Sequence, residues 1–475
     1  MSAPITRLFG LIVVLFALLV AWTSRWTVFD SKPLQNNALN VRTLIDELRI
    51  KRGRIIADDG TVLASSVPGP GGTWNRTYPT ASLFSQAVGY SIAAEGRSAG
   101  LERSRGAELR GLQTGISSIF GQLSSHRVGD DVYTTIDPKA QRVALQQLGG
   151  QAGSVVALDP QTGAIRVMVA IPGYDDNHPD ATGSGVSTFN RSTQAGYPPG
   201  STFKIVTAAA AIDSGRFTPN STISGNSPVT ISGVPLSNDN NQSFGPTTLT
   251  DALTFSVNTV WAQVAEQLGR GIMTTYMKRF GFYSKPPLDY PPDELNASRP
   301  WSPGTHPQPY APGSPNEDIG RIGIGQGGLE VTPMQMAMVA AAVANGGRLM
   351  VPHFTDRVVD QTGRTVETIK PSVYSQVMKP STAQQLAQMM KRVVEEGTGT
   401  PAQLGGIDVA GKTGTAQIGV IGSNLTEPWF IGFAPIQNPK VAVAVTVEKS
   451  QGGFGGTVAA PIAKIVIQTL LSEGL

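Results

Sequence analysis

The sequence contains no cysteine, and this absence excludes several kinds of chemistry. Disulfide bridges, thiolate nucleophiles and cysteine-ligated metal sites all require that residue. Histidine is also scarce: the 4 histidines are scattered and form no His-Glu-x-x-His pattern. Nothing in the sequence therefore predicts a zinc hydrolase or a His-dependent hydrolase, and we expect neither a metal nor another cofactor.

Charged residues are few as well, at 15% of the chain, and the formal net charge is +3. No concentrated basic run with interleaved aromatic residues is present, so nucleic acid is not an expected partner. Apolar residues make up 40% of the 475 residues. This content is typical of a folded protein, and the length allows two or three domains.

A single apolar stretch near the N-terminus predicts a membrane anchor. Residues 8–24 carry no charge, are mostly Leu, Val, Phe and Ile, and lie between Arg7 and Arg25. The stretch is just long enough to span a bilayer, and no small-residue cleavage site follows it. We predict an uncleaved signal anchor within residues 1–30. Because only 7 residues precede the apolar stretch, we expect the large C-terminal part to lie outside the cytoplasm.

Residues 31–150 predict an N-terminal pedestal domain. Its clearest element is a hairpin over residues 52–64, in which two apolar runs flank the turn Asp59-Gly60. A strand is predicted over residues 132–136, and a helix is predicted to begin after Asp137-Pro138.

Residues 151–475 predict a second domain in which helices surround a sheet. Neighbouring strands are joined by short turns, which favours an α/β (α+β) fold with an antiparallel core. Ten prolines within residues 285–316 exclude regular structure in that segment. The predicted strands are 154–158, 164–170, 429–434 and 441–448, and the predicted helices are 201–214, 248–255, 259–268, 332–345, 382–396 and 459–471.

The strongest chemical motif is Ser201-Thr-Phe-Lys204 at the start of a predicted helix. Positions i and i+3 share one helix face, so the Lys204 amine is expected beside the Ser201 hydroxyl. A lysine can take the proton of a serine if burial or neighbouring charge lowers its pKa. Ser-x-x-Lys also occurs by chance in many proteins, and the motif alone is weak evidence for a nucleophile.

Two further motifs strengthen the hypothesis. Ser256-Val-Asn258 falls in the break between two predicted helices, and Lys412-Thr-Gly-Thr415 begins a predicted strand. The first supplies a second hydroxyl and an amide beside the base, and the second supplies a lysine and two threonine hydroxyls for a substrate carboxylate. Gly414 permits close approach of a peptide along a sheet edge, which suits addition of the substrate as a strand.

The order Ser-x-x-Lys, Ser-x-Asn, Lys-Thr-Gly resembles that of penicillin-binding proteins and serine β-lactamases. Upstream segments beginning at Arg52 and Thr135 resemble the pedestal of class B penicillin-binding proteins, so the resemblance covers nearly the whole chain. The compact size and the Asn190-Arg191 segment are similar to the PbpA type of Actinobacteria. Segments that resemble a transpeptidase domain are Tyr197-Pro-Pro-Gly-Ser-Thr-Phe-Lys204, Gly325-Gln-Gly327, Thr332-Pro-Met-Gln-Met-Ala337 and Trp429-Phe-Ile-Gly-Phe-Ala434.

The resemblance implies the fold shared by penicillin-binding transpeptidases and serine β-lactamases, with a dimerisation-like pedestal and one transmembrane helix. It implies a peptidoglycan D,D-transpeptidase that forms a serine acyl-enzyme on the D-Ala-D-Ala ends of stem peptides and is acylated by β-lactams. The resemblance implies that Ser201 is the nucleophile and Lys204 its base, and that Ser256 and Asn258 relay protons and orient the substrate. It also implies that Lys412, Thr413 and Thr415 bind the terminal carboxylate. The backbone N–H groups of Ser201 and Thr415 are then expected to form the oxyanion hole.

The resemblance also implies partners: the membrane, a glycosyltransferase, and other division or elongation proteins. Three alternatives share the same motifs, namely a β-lactamase, a D,D-carboxypeptidase and a catalytically inactive divisome scaffold. A fourth alternative is a phosphate-binding loop, because residues 406–413 satisfy the Gly-x4-Gly-Lys-Thr pattern. Such a loop needs a helix directly after it, whereas the residues after Thr415 predict a strand and a turn.

Overall fold

The computed structural model describes residues 3–25, 45, 47–112, 128–419 and 424–474. Its first element is the helix Ala3–Ser24, which contains the predicted apolar stretch and is exposed along its length. Among the described residues it is the one helix long and apolar enough to cross a membrane, with a mean hydropathy of 2.4 over residues 4–24. The helix therefore fits a single-pass membrane anchor. Residues 31–44 of the predicted pedestal lie outside the described residues.

A six-stranded sheet follows in the N-terminal part. The predicted hairpin is confirmed, because Ile55 pairs with Ala64 and Ile56 with Val62 in antiparallel register. Two strands from much later in the chain, Thr355–Val359 and Thr365–Thr368, complete this sheet. The sheet order is Thr365–Thr368, Thr355–Val359, Asp131–Thr134, Ile55–Ile56, Val62–Pro68 and Trp74–Thr77. Short elements beside it are the strands Ser91–Ile92 and Arg97–Ser98 and the helices Ser85–Val88, Gly100–Ser104 and Gly106–Leu109.

The C-terminal part is built on a sheet of five principal strands, all antiparallel. Their order in the sheet is β3 (Ala410–Ile418), β4 (Leu425–Ala434), β5 (Val441–Val447), β1 (Gly153–Leu158) and β2 (Ile165–Ile171), numbered along the chain. Its central strands are buried along nearly their whole length because helices cover both faces. The predicted hairpin is confirmed as β1 paired with β2.

The α/β (α+β) prediction is confirmed by this sandwich of helices and antiparallel sheet. Helices α1 (Pro138–Leu148) and α6 (Ala459–Ser472) cover one face. Helix α4 (Pro333–Ala344) covers the other face, where α2 (Lys204–Asp213) and α3 (Asn258–Arg279) also pack. The helix α4 is buried on all sides, which explains why its sequence is almost wholly apolar. The helices are α1 (Pro138–Leu148), α2 (Lys204–Asp213), α3 (Asn258–Arg279), α4 (Pro333–Ala344), α5 (Pro380–Glu395) and α6 (Ala459–Ser472), with shorter helices at Leu249–Thr254 and Ile319–Ile322.

Two predicted helix boundaries were wrong. The helix expected from residue 201 begins at Lys204, because Gly200–Phe203 forms a separate 3-10 turn. The helix expected to end at Leu268 continues to Arg279, with a break at Gly269, where φ is 76°. Glycine adopts this left-handed conformation without steric cost, so the chain changes direction there and resumes the helix.

Small strand pairs surround the sheet and helices. They were not predicted, because runs of two to four residues carry little periodicity. The residues 285–316 are mostly irregular, as the prolines predicted, and contribute one short strand and a turn. The additional strands are Thr222–Ser224, Val229–Ile231, Val234–Leu236, Pro246–Thr248, Arg299–Pro300, Leu329–Glu330, Arg348–Met350, Val373–Gln376 and Ser450–Gln451.

Candidate active site

The turn that carries Ser201 is held against strand β3 by glycines. The Gly200 amide donates a 3.1 Å hydrogen bond to the Gly325 carbonyl. A Cβ at Gly325 would lie 2.0 Å from the Gly200 carbonyl oxygen, and a Cβ at Gly200 would lie 3.1 Å from the Thr415 carbonyl oxygen. Three backbone segments therefore meet at distances that side chains would prevent.

Gly414, on strand β3, also lies close to the turn that carries Ser201. A Cβ there would lie 2.6 Å from the Pro199 carbonyl oxygen. The Trp429 indole donates a 3.1 Å hydrogen bond to the Pro198 carbonyl and holds the turn from the neighbouring strand. The close approach seen at Gly414 is thus made by the chain's own turn that carries Ser201, and close approach by a substrate stays a prediction.

Lys204, the first residue of α2, is fully buried and donates three hydrogen bonds. Its Nζ lies 2.8 Å from the Ser256 carbonyl oxygen, 3.2 Å from Ser256 Oγ and 2.6 Å from Asn258 Oδ1. Burial lowers the pKa of Lys204 well below its ordinary value, and the nearby charge of Lys412 lowers it further. Both effects favour the neutral amine, which is the form of lysine that can accept a proton.

Ser256 lies between the two buried lysines. Its Oγ is 3.2 Å from Lys204 Nζ and 3.0 Å from Lys412 Nζ. Its φ of 59° places this non-glycine residue in the left-handed region, in the predicted break between Leu249–Thr254 and α3. Such strain persists only where the surrounding contacts enforce it, and it occurs preferentially at functional sites.

Lys412 lies on β3, fully buried, and its Nζ also donates a 3.1 Å hydrogen bond to the Thr413 carbonyl. Burial lowers the pKa of Lys412 to about 7, and the negative charge of Asp239 opposes this shift. The two lysines are joined through Ser256, so protonation of one disfavours protonation of the other.

The two threonine hydroxyls of the third motif already have partners within the protein. Thr413 Oγ1 lies 2.5 Å from Thr398 Oγ1, and Thr415 Oγ1 accepts a 3.1 Å hydrogen bond from the Gly455 amide. Strand β3 is at the edge of the sheet and pairs only with β4 among the described residues. Its outer edge therefore presents backbone groups to which an extended peptide can add.

The structure brings Lys204, Ser256, Asn258 and Lys412 into direct contact and places Ser201 on the adjoining turn. In the described part of the chain, the Ser201 hydroxyl forms no hydrogen bond, so the expected direct pairing with Lys204 is absent in this conformation. All three hydrogen bonds of Lys204 go to the Ser256 and Asn258 motif. Catalytic hydrogen bonds often tighten only when substrate is bound, and the pairing of Ser201 with its base remains a prediction.

Sequence reasoning missed two residues of the site, Asp239 and Thr398. Asp239 Oδ1 accepts a 3.4 Å hydrogen bond from Asn258 Nδ2, and Thr398 contacts Thr413. Both lie in loops outside any motif, so no local signal marks them. The phosphate-binding alternative is wrong, because Lys412 and Thr413 lie inside the strand β3 and no helix follows them directly.

Sequence profiles and known proteins agree with this arrangement. Residues 153–468 match the penicillin binding protein transpeptidase domain, and residues 52–131 match the penicillin binding protein A dimerisation domain. The chain is 34% identical over 512 aligned residues to the peptidoglycan D,D-transpeptidase PbpA of Mycolicibacterium smegmatis, with 100% of each chain covered. It is 32% identical to the protein of the same name from Mycobacterium tuberculosis, with 99% of each chain covered.

Solved structures show the same fold. The ceftriaxone acyl-enzyme complex of penicillin-binding protein A from M. tuberculosis superposes with a TM-score of 0.79 at 28% identity, covering 90% of this chain and 100% of that one. The D,D-transpeptidase domain of a peptidoglycan glycosyltransferase from Eggerthella lenta superposes with a TM-score of 0.76 at 30% identity, covering 90% of this chain and 99% of that one. The chain therefore belongs to the penicillin-binding proteins, as a peptidoglycan D,D-transpeptidase of the PbpA type.

Proposed function

We propose that Ser201 is the nucleophile of this transpeptidase and that Lys204 is its base. The observation that supports this proposal is the convergence of Lys204, Ser256, Asn258 and Lys412, three motifs far apart in sequence, beside the turn that carries Ser201. A buried lysine whose pKa is lowered by burial and by a second lysine is suited to accept a serine proton.

In the acylation step, Ser201 Oγ attacks the carbonyl carbon of the penultimate D-alanine. The Oγ–C bond forms, and the C–N bond to the terminal D-alanine breaks. The Ser201 proton passes to the neutral Lys204 amine. Ser256 Oγ, within hydrogen-bond distance of both lysines, relays a proton to the leaving nitrogen, so that free D-alanine departs.

In the second step, an amine of a neighbouring stem peptide attacks the ester carbonyl. The new C–N bond forms, the C–Oγ bond breaks, and the amine loses a proton as Ser201 regains one. The product is a cross-link between two stem peptides. β-Lactams enter the first step as substrate mimics and leave an acyl group on Ser201.

Lys412, Thr413 and Thr415 are proposed to hold the terminal carboxylate of the donor peptide, with Gly414 leaving room along the edge of β3. The backbone N–H groups of Ser201 and Thr415 would form the oxyanion hole. Each donor of this kind typically contributes about 3 kcal/mol to transition-state stabilisation. Asn258 Nδ2 points away from Lys204 and is available to orient the peptide that precedes the reacting bond.

The arrangement in the cell is proposed as follows. Residues 1–30 comprise a short cytoplasmic tail and the anchor, residues 31–150 the pedestal, and residues 151–475 the catalytic domain outside the membrane. A substrate that lies outside the cell membrane supports this orientation. Nascent glycan strands would come from a partner glycosyltransferase working with division or elongation proteins.

Mass spectrometry of the full-length protein after exposure to benzylpenicillin tests the proposal. We expect a stable adduct on the tryptic peptide that contains Ser201, and no adduct on a folded Ser201→Ala variant. An adduct on another residue would overturn the assignment. The absence of an adduct on the folded wild-type protein would favour an inactive scaffold, and rapid loss of the adduct with hydrolysed penicillin would favour a β-lactamase. Release of D-alanine without transfer to an added amine would favour a carboxypeptidase.

A further inference from the structure

A polar turn formed by residues 238–242 lies against the Ser256-Val-Asn258 motif. Its Asp239 side chain is exposed and accepts a 3.4 Å hydrogen bond from Asn258 Nδ2. No cationic group lies within ion-pair distance of the Asp239 carboxylate in the described part of the chain. Among the described residues, the Asp239 carboxylate beside the Ser256-Val-Asn258 motif therefore forms no ion pair.

The turn is fixed in place rather than free to move away. Asn238 is only 5% exposed, and its Nδ2 donates hydrogen bonds of 3.1 Å to the Gly225 carbonyl and 2.9 Å to the Gln242 carbonyl. Its Oδ1 accepts a 2.9 Å hydrogen bond from the amide of Thr259, in the first turn of α3. The side chain therefore ties the turn to the helix that begins with Asn258.

The turn has a defined backbone conformation. Asn240 and Asn241 have φ values of 54° and 55°, in the left-handed region that asparagine adopts more readily than most residues. Two consecutive residues in this region, held by a buried asparagine, position Asp239 at the site.

Asn258 connects Asp239 to Lys204, because it hydrogen-bonds to both side chains. The charge of Asp239 opposes the burial that lowers the pKa of Lys204 and of Lys412. Both lysines are fully buried and already hydrogen-bonded to Ser256, so neither reaches out to Asp239. The carboxylate therefore adds a negative potential to the cleft and keeps a free side toward solvent.

The direction of the donor peptide follows from the proposed function, on which this inference rests. Its carboxylate end lies at Lys412, and its reacting carbonyl lies at Ser201. The preceding residue must then leave the cleft past Asn258, whose Oδ1 faces Lys204 and whose Nδ2 faces Asp239. A donor peptide bound in this direction would bring the side chain of the residue that precedes D-Ala-D-Ala beside Asp239.

We propose that Asp239 determines substrate specificity by binding an ammonium group on the side chain of the residue that precedes D-Ala-D-Ala in the donor peptide. The preferred donor is a stem peptide whose third residue is a diamino acid with a free amine. The ion pair forms at the mouth of the cleft, where water screens it, so its effect on acylation is modest.

Two penicillins test the proposal with the full-length protein. In one, the 6-acyl group is Nα-acetyl-L-lysyl with a free ε-amine, and in the other the ε-amine is acetylated. We expect the wild-type protein to be acylated on Ser201 about fivefold faster by the free amine, a preference typical of a partly exposed ion pair. Asp239→Asn keeps the shape and the hydrogen bond to Asn258, and it should reduce the ratio of the two acylation rates to about one. The ratio is the readout, because loss of the Asp239 charge also changes the pKa of both lysines and so the rate of each compound.

The control variant is Asp180→Asn, which removes one exposed charge in a loop elsewhere, and it should keep the preference. Two results would overturn the proposal: equal rates in the wild-type protein, or a preference that survives in Asp239→Asn. A preference that survives while both compounds are slowed equally would mean that Asp239 acts only through Asn258. If neither compound acylates the wild-type protein, it is the proposed function that fails. If Asp239→Asn alters only the later transfer to an added amine, then Asp239 serves the acceptor and the proposal is likewise wrong.

Discussion

Lys204 Nζ donates a 2.6 Å hydrogen bond to Asn258 Oδ1 across 54 positions of sequence. The contact joins the first residue of α2 to the first residue of α3. It aligns the Lys204 amine and directs the Asn258 Nδ2 group away from the lysine, toward Asp239 and the open side of the cleft. The Asn258 side chain therefore orients the proposed base with its oxygen and leaves its Nδ2 group available as a hydrogen-bond donor for the substrate.

Asn258→Ala should slow acylation of Ser201 by benzylpenicillin about ten- to hundredfold, since hydrogen bonds to charged groups are typically worth about 1.5 to 3 kcal/mol. The protonated form of Lys204 loses an acceptor, so the pKa of Lys204 falls and the acid limb of the acylation rate moves to lower pH. Stopped-flow rates across the pH range measure both effects. Asn226→Ala, at an exposed asparagine, is the control, and an unchanged rate in Asn258→Ala would remove Asn258 from the site.

Lys412→Ala should slow acylation and move the acid limb in the opposite direction. The positive charge of Lys412 lowers the pKa of Lys204, so its removal raises that pKa and shifts the limb to higher pH. The loss of a carboxylate partner should reduce the acylation rate by about tenfold or more. Stopped-flow acylation rates across the pH range, measured as for Asn258→Ala, test both effects. An acylation rate equal to that of the wild-type protein would show that Lys412 does not hold the carboxylate.

Lys412→Met should stabilise the protein at neutral pH by about 2 kcal/mol, because an apolar side chain of similar length replaces a buried amine. The pKa of Lys412 is about 7 in the folded state, against 10.5 for a free lysine. The unfolded chain therefore binds more protons between these values, and the wild-type free energy of unfolding rises with pH over that interval. The advantage of the variant should be largest below pH 7 and shrink toward pH 10.5.

Thermal unfolding of the wild-type protein and of Lys412→Met at pH 6, 8 and 10 measures this difference in stability. Lys370→Met, at an exposed lysine, controls for the added methionine and should show no pH-dependent gain. A stabilisation by Lys412→Met that does not depend on pH would mean that the buried amine carries no penalty in the folded protein.

Gly414→Ala should impair both folding stability and acylation. The added methyl group would lie 2.6 Å from the Pro199 carbonyl oxygen, so the turn that carries Ser201 must move. Overpacking of this kind costs about 1 to 3 kcal/mol in the free energy of unfolding. Gly405→Ala is a matched control, because a Cβ there meets no atom within 4 Å. Denaturant unfolding and penicillin acylation measure the two effects, and a normal acylation rate in Gly414→Ala would show that the turn tolerates the displacement.

Much of the fold could be predicted locally. Asp59-Gly60 marks a hairpin turn, and Asp137 caps the helix Pro138–Leu148 by accepting a hydrogen bond from the Ala140 amide. The apolar runs at β4 and β5 also identified their strands. The start of α2 could not be predicted, because good helix formers follow Gly200–Phe203 directly and this segment becomes a 3-10 turn only through its contacts with Gly325 and β3.

The sequence by itself determined the class of chemistry, because Ser201, Lys204, Ser256, Asn258 and Lys412 occur in short motifs whose residue types and order are specific. It also determined the apolar N-terminal helix, because length and hydropathy are local properties. Only the tertiary structure decided that Lys204 bonds to Ser256 and Asn258 rather than to Ser201, and that Asp239 and Thr398 join the site. Hydrogen bonds and charge effects depend on distances across the folded chain, and no local pattern encodes these distances.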